Sequence, residues 1–272
     1  MKFKLIFVVF NILILLSFAV VLIMPVMMLG PDYSMTLWST NWYLPVLFLL
    51  VIIAIDAYFF INWQLFSLLE AENWTGLVNF LEEKVLRRGK FQANHVRTLI
   101  QAYFVTGNVS KLEPLEAMLR EKRPKLVKKF ALELGMPKVL HKDHADMVDF
   151  FGEFRGQKVP NEQWVRFLHA FGVLMQKEHS EGREELLVLA REVKEPLLKV
   201  LVLYTLDPFR TIDDEVLDEV DKQKGEMAGK FTEERLLKEL DRNRGNIATV
   251  VMAPLIKDSI TWLFKAAGKE SE

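Results

Sequence analysis

The sequence predicts an all-α protein: a two-helix transmembrane hairpin followed by a water-soluble helical domain. Three observations predict it. Residues 5–29 and 43–62 are apolar runs of the length a helix needs, about 20 residues, to cross a hydrocarbon layer of roughly 30 Å, and the second carries one charge, Asp56. Residues 1–63 hold only Lys2, Lys4, Asp32 and Asp56, so 33 of the 35 Lys+Arg and 34 of the 36 Asp+Glu fall in 64–272. Beyond Trp63 no stretch alternates convincingly with a period of two, whereas apolar residues recur at helical spacing.

The first run is a retained span rather than a cleaved signal. Its apolar stretch exceeds the usual 7–15 residues, and Pro25-Val26-Met27-Met28-Leu29 lacks a small-x-small cleavage pattern. The loop 30–42 contains no Lys or Arg, while Lys2 and Lys4 precede the first span and Lys84, Arg87, Arg88 and Lys90 follow the second. The positive-inside rule therefore places both termini in the cytoplasm, at an inner (plasma) membrane. Inverting this topology would put the same domain in the periplasm. Trp38, Trp42 and Tyr43 suit the outer interface and Trp63 the inner one.

Asp56 is the exceptional residue, because a carboxylate in hydrocarbon costs several kcal/mol. It lies about 9 Å from the inner end of its helix, and Asn11 lies equally far from the inner start of the first. In an antiparallel hairpin the two reach one level, and a hydrogen bond between them would be worth about 1 kcal/mol. Asp56 reads as helix–helix glue, as a contact for a partner protein, or as a working group in transport.

The second span continues without a breaker through residues 64–72, and Asn73 offers a cap. Residues 75–88 are amphipathic and close at Gly89; residues 94–106 repeat the form and close at Gly107. Ser110-Lys111-Leu112-Glu113 has the pattern of a capping box and opens a helix to about Lys122, with Pro124 beyond it. Residues 125–134 form the next helix, ending at Gly135. Such short helices joined by short turns are antiparallel neighbours and bury their apolar faces by stacking.

This stretch resembles the tetratricopeptide repeat, a helix–turn–helix unit of about 34 residues. Leu99 and Tyr103 fall on its first-helix positions, Gly107 on the turn glycine and Pro124 on the terminal proline. Leu112 and Glu116 depart from it, standing where a small residue and an aromatic are usual. The resemblance covers residues 64–135 and implies an α-solenoid that binds a protein partner.

Later helices are expected over 144–155, 161–179, 183–194, 196–206 and 213–222. Residues 221–230, charged and with two glycines, read as a flexible linker between a repeat domain over 64–220 and C-terminal helices over 231–272. Residues 246–264 are apolar but contain Lys257, Asp258 and Pro254, which argues against a third span. They cap the helical domain, or they lie along the membrane or a partner.

No cysteine is present, which removes disulfides, thiol catalysis and Cys-ligated zinc. A net charge of −1 gives no electrostatic case for nucleic acid. His141 and His144, with Asp146 and Asp149, form the only cluster suited to a metal. Helix-start signals put His141 in a turn, Asp146 faces away, and no HExxH spacing occurs, so a polar turn is the simpler reading and no cofactor is expected. His95, His169 and His179 read as isolated. The basic run 120–129 suits a solvated face or anionic head groups. On the helix over 94–106, the face opposite the core carries Asn94, Arg97 and Gln101, the positions expected to meet a partner. The function expected is that of a membrane-anchored scaffold, not an enzyme, binding a protein partner in assembly of an envelope machine, with membrane lipid around it and a homo-oligomer allowed. The alternative is an accessory subunit of a transport or signalling complex that uses Asp56.

Overall fold

The computed structural model describes residues 2–141, 144–176, 179–243 and 245–265. Every regular element among them is helical. The chain forms two compact units, Met1–Thr106 and Gly107–Glu272.

The first unit begins with α1 (Lys2–Leu29), α2 (Pro31–Thr40) and α3 (Tyr43–Ile61). Two helices here are long and apolar enough to cross a membrane. Leu5–Met28 has a mean hydropathy of 3.1 with none of it buried, and Tyr43–Ile61 has 2.6 with 6% buried. A core helix of a soluble protein would be covered by its neighbours; these are not. Ring contacts set the hairpin's register. Phe18 stacks on Phe48 at 4.9 Å, and Phe7 meets Phe59 at 5.4 Å and Trp63 at 6.3 Å. Both Phe–Phe contacts define one antiparallel register, in which Asn11 lies opposite Ile55 and one residue from Asp56.

The segment expected to be a loop is the helix α2. Gly30, at φ 83°, turns the chain sharply, and Pro31 begins the new helix with its φ already fixed. Ser34 Oγ donates to Gly30 O at 2.7 Å and closes the first turn.

After a break at Asn62, α4 (Trp63–Glu70) continues out of the hairpin. A short turn with Glu72 at φ 50° leads to α5 (Trp74–Glu82), which Asn73 caps by accepting from Gly76 N at 2.9 Å. The helix widens into a π turn, Glu83–Arg87, and ends at Gly89, φ 65°. Helix α6 (Ala93–Val105) packs on α5 through Val96, Leu99, Ile100 and Tyr103, all buried.

The second unit contains α7 (Leu112–Lys122), α8 (Pro124–Lys129), α9 (Ala131–His141), α10 (His144–Gly152), α11 (Glu162–Met175), α12 (His179–Glu192) and α13 (Pro196–Leu206). It ends with α14 (Asp214–Lys230), α15 (Glu233–Arg242), α16 (Ile247–Val251) and α17 (Ala253–Lys265). Successive helices from α9 to α14 pack as neighbours, α17 lies on α13, α14 and α15, and α16 returns to α9. That last contact joins the two ends of the unit, which nearest-neighbour stacking alone does not supply.

Three local expectations change. The capping box at Ser110 does not form. Val109–Lys111 is a 3-10 turn, and α7 starts without a side-chain cap. Gly135 does not end a helix but sits inside α9, where a Cβ would lie 2.3 Å from Phe151 Cζ and 2.9 Å from Phe150 Cε1. It is a contact point for α10. Residues 221–230 are not a flexible linker but the second half of α14. Asp213 caps that helix by accepting from Glu215 N and Val216 N, and Val216, Val220, Gln223 and Met227 form one buried stripe. The burial holds the helix despite its two glycines. At the C-terminus, Ile256, Ile260 and Leu263 are buried within the unit, and Trp262 meets Tyr204 edge-on at 5.7 Å. The oily end caps the helical domain.

Gly135→Ala should cost about 1–3 kcal/mol, the usual penalty of overpacking a core. Gly225 faces open space on α14, so Gly225→Ala should stabilise by up to about 1 kcal/mol. Urea unfolding of the full chain, followed by its helical circular dichroism, checks both. A neutral Gly135→Ala would contradict the α9–α10 contact.

Candidate functional site

The row expected to meet a partner is presented as the sequence predicts. Asn94, Arg97 and Gln101 are exposed along α6, opposite its buried face. The helix is held firmly beneath them. Tyr103 is 1% exposed and its hydroxyl donates to Glu82 Oε1 at 3.0 Å. Burial first, then the Glu82 carboxylate, pushes the Tyr103 phenol well above its ordinary 10.0. Thr98 Oγ1 donates to Asn94 O at 2.9 Å along the row itself.

Asn11 and Asp56 are level but do not bond to one another. Asn11 Nδ2 donates to Phe7 O within its own helix at 3.1 Å. Asp56 Oδ1 is buried and has no hydrogen-bond partner among the described residues. The helical turn nearest Asn11 satisfies the amide first, so the carboxylate keeps its unmet demand. Towards the other end of the hairpin an apolar groove of about 380 Å³ is lined by Phe18, Leu22, Trp38, Pro45, Phe48 and Val51, among others. Its lining holds no titratable group.

The histidine cluster is dispersed. His141 closes α9 rather than standing in a turn, with Nδ1 3.6 Å from Glu113 Oε1, and His144 opens α10 with its Nδ1 buried and unpartnered. Lys142 and Asp143, between them, lie outside the described residues. Among the described residues no group of three or more His, Asp or Glu is placed to hold a metal.

Buried charge gathers in the second unit, at residues that looked unremarkable. His169, expected to be isolated, is 6% exposed and its Nδ1 lies 2.9 Å from Glu185 Oε2, a residue of α12 that is itself buried. Arg155 approaches Glu185 Oε2 at 3.7 Å and bonds Glu181 at 2.7 Å. Arg166 bonds Glu192 at 2.5 Å. Glu116 is 8% exposed and accepts from Arg120 at 2.7 Å and Lys138 at 3.3 Å, with both cations against the Phe150 ring. Arg120 also bonds Glu153 at 2.7 Å, so the first cation of the basic run is committed within the unit. Only the Glu116–Arg120 spacing, four residues on one helix, could have signalled this cluster in advance. The other partners come from helices distant in sequence. These groups staple helix to helix.

The family model for an uncharacterised Treponema protein matches residues 111–265, more than half of the chain. The chain belongs to that family. A Treponema pallidum (strain Nichols) protein, described as uncharacterized, is 26% identical over 238 residues, covering 80% of this chain and 74% of its own length. No solved structure matches. The family stretch falls within the second unit. The relative's alignment is longer than that unit, so the similarity reaches into the first. No tetratricopeptide signature is shown by either match.

The family's helical unit should depend on its buried pair. Glu185→Ala strands His169 and should cost roughly 1–3 kcal/mol, seen as a lower urea midpoint. Tyr103 gives a pH dependence of definite sign. A tyrosine pKa raised by folding contributes stability that is full below the unfolded value of 10.0 and is lost as pH rises beyond it. Stability should fall above about pH 10, and Tyr103→Phe should lower stability by about 1 kcal/mol at neutral pH while removing part of that alkaline loss. Thermal melts across pH 8 to 11 read both effects.

Proposed function

We propose that this chain is a membrane-anchored helical scaffold that holds a protein partner at the cytoplasmic face of a bacterial-type inner membrane. It works by binding, without turnover. The observation that carries the reading is the exposed row Asn94, Arg97 and Gln101 on α6, in the same compact unit as the apolar hairpin. A surface tied to an anchor fixes a partner's height above the bilayer as well as its identity. The cytoplasmic placement rests on basic residues flanking the hairpin and on none in residues 30–42. The tetratricopeptide-like reading of residues 64–135, and a role in assembling an envelope machine, belong to this proposal. The row lies outside the stretch that the family model matches, so the partner would be recognised by the first unit and the second would carry what the family shares.

A second reading has its own support. The partnerless Oδ1 of Asp56 is what an accessory subunit of a transport or signalling complex would offer to another transmembrane helix.

Photo-crosslinking in cells tests the first reading. A crosslinking residue at position 97 or 101 should give an adduct of one discrete mass, and one at exposed Lys128 should not. Arg97→Glu should weaken the adduct from position 101 by about fivefold or more, the effect of losing a contact worth over 1 kcal/mol. Equal adducts at all three positions, or none, would defeat the proposal. Loss of function in Asp56→Asn with the adducts intact would transfer support to the second reading.

A further inference from the structure

The end of α5 gathers more positive charge than the described residues around it neutralise. Lys90 N donates to Lys84 O at 3.1 Å across Gly89, so the two lysines are brought to the same corner. Arg87 and Arg88 stand on the intervening turn and share one acid, Glu83, at 3.2 Å each. Glu82 accepts from Tyr103. Among the described residues neither Lys84 nor Lys90 meets a carboxylate; Lys84 Nζ lies instead 5.4 Å from the Phe80 ring centre. Burial, then Lys90 and Arg88, hold the Lys84 ammonium below the ordinary lysine range. Below them His95 is 4% exposed, and its Nδ1 has no hydrogen-bond partner among the described residues. Burial and the same two lysines hold His95 low, which keeps the ring neutral.

The corner also follows the hairpin closely along the chain. The turn between α4 and α5 is short, and short connections make neighbouring helices antiparallel. Helix α4 has 8 residues, about 12 Å at 1.5 Å per residue. Helix α5 and the π turn together run from Trp74 to Arg87, about 21 Å. The return is about 9 Å longer than α4 and draws level with Trp63, at the base of the hairpin, near Glu82, so Lys84 follows within about 3 Å of that level. Two lysines with no carboxylate partner among the described residues, beside an arginine that shares a single acid with its neighbour, are complementary to a phosphate near the base of the hairpin.

We propose that Lys84, Arg88 and Lys90 form a binding site for the phosphate of an anionic lipid headgroup. The site orients the scaffold against the bilayer: the hairpin sets depth, and the corner fixes the tilt of α5 and α6. The proposal holds whether or not α6 binds a protein partner.

Native mass spectrometry of the full-length protein, released from micelles holding equal phosphatidylglycerol and phosphatidylcholine, tests it. The wild type should retain phosphatidylglycerol preferentially. Each lysine removed should lower that preference about fivefold, the worth of one basic residue near an anionic surface, so Lys84→Gln/Lys90→Gln should abolish most of it. Lys128→Gln/Lys129→Gln, which removes two exposed charges from the second unit, should leave it unchanged. Lys90→Gln alone, at an exposed position, supplies the result if the double variant does not fold. A retained preference in the Lys84/Lys90 variants, or an equal loss in the Lys128/Lys129 variant, would overturn the site. Retention of millimolar inorganic phosphate with no preference between the lipids would make it a site for a soluble anion and overturn the headgroup assignment.

Discussion

Uncovered hydrocarbon is the constraint on which the rest of the first unit depends. Met27 is 82% exposed and Phe60 84% exposed, and the apolar windows of both long helices are almost wholly uncovered by other parts of the protein. Burial of apolar area is the main favourable term in folding, so this surface has to be covered by something other than the chain, and a bilayer is the solvent that fits its length. The ring contacts of Phe7 and Phe18 then set which residues share a level, and the run from α3 into α4 ties the next three helices to that frame. Asp56 is conspicuous because the same frame deprives it of water.

The second unit solves a different problem. Its helices are short and bury leucine, valine and phenylalanine among one another, and Gly135 and Gly172 let neighbours approach where a Cβ would collide with Phe151 or Met147. Ion pairs run from helix to helix, with α12 as the hub: Arg183 reaches Asp213, Glu185 reaches His169, and Arg191 reaches Glu215 and Glu219. The exposed pairs among these contribute about 0–1 kcal/mol each, so they are not the source of the stability. A misregistered helix would leave Glu185 or Glu116 buried without a partner, and that penalty gives the stack its specificity.

The two units divide the labour in the proposed scaffold. The anchor, the exposed row of α6 and the basic corner all belong to the first. The stretch that defines the family lies in the second. On that proposal, recognition at the membrane and the shared helical body would be carried by different parts of the chain, and they could be perturbed separately.

The sequence by itself determined the class of the fold, the two apolar helices, the cap at Asn73 and the outward face of α6. All of these follow from local period, local charge or the chemistry of one turn, and none needs a distant neighbour. The tertiary structure alone decided the rest. Gly135 looks like a terminator until Phe150 and Phe151 are seen to require its missing Cβ. Residues 221–230 look like a linker until a buried stripe holds them helical, and Ser110 looks like a cap until the chain makes a 3-10 turn there. His169 looks solitary because its partner is sixteen residues away on the next helix. Asn11 and Asp56 reach the same depth, as their spacing requires, but a hydrogen bond depends on direction as well as depth, and the carbonyl of Phe7 is the nearer acceptor.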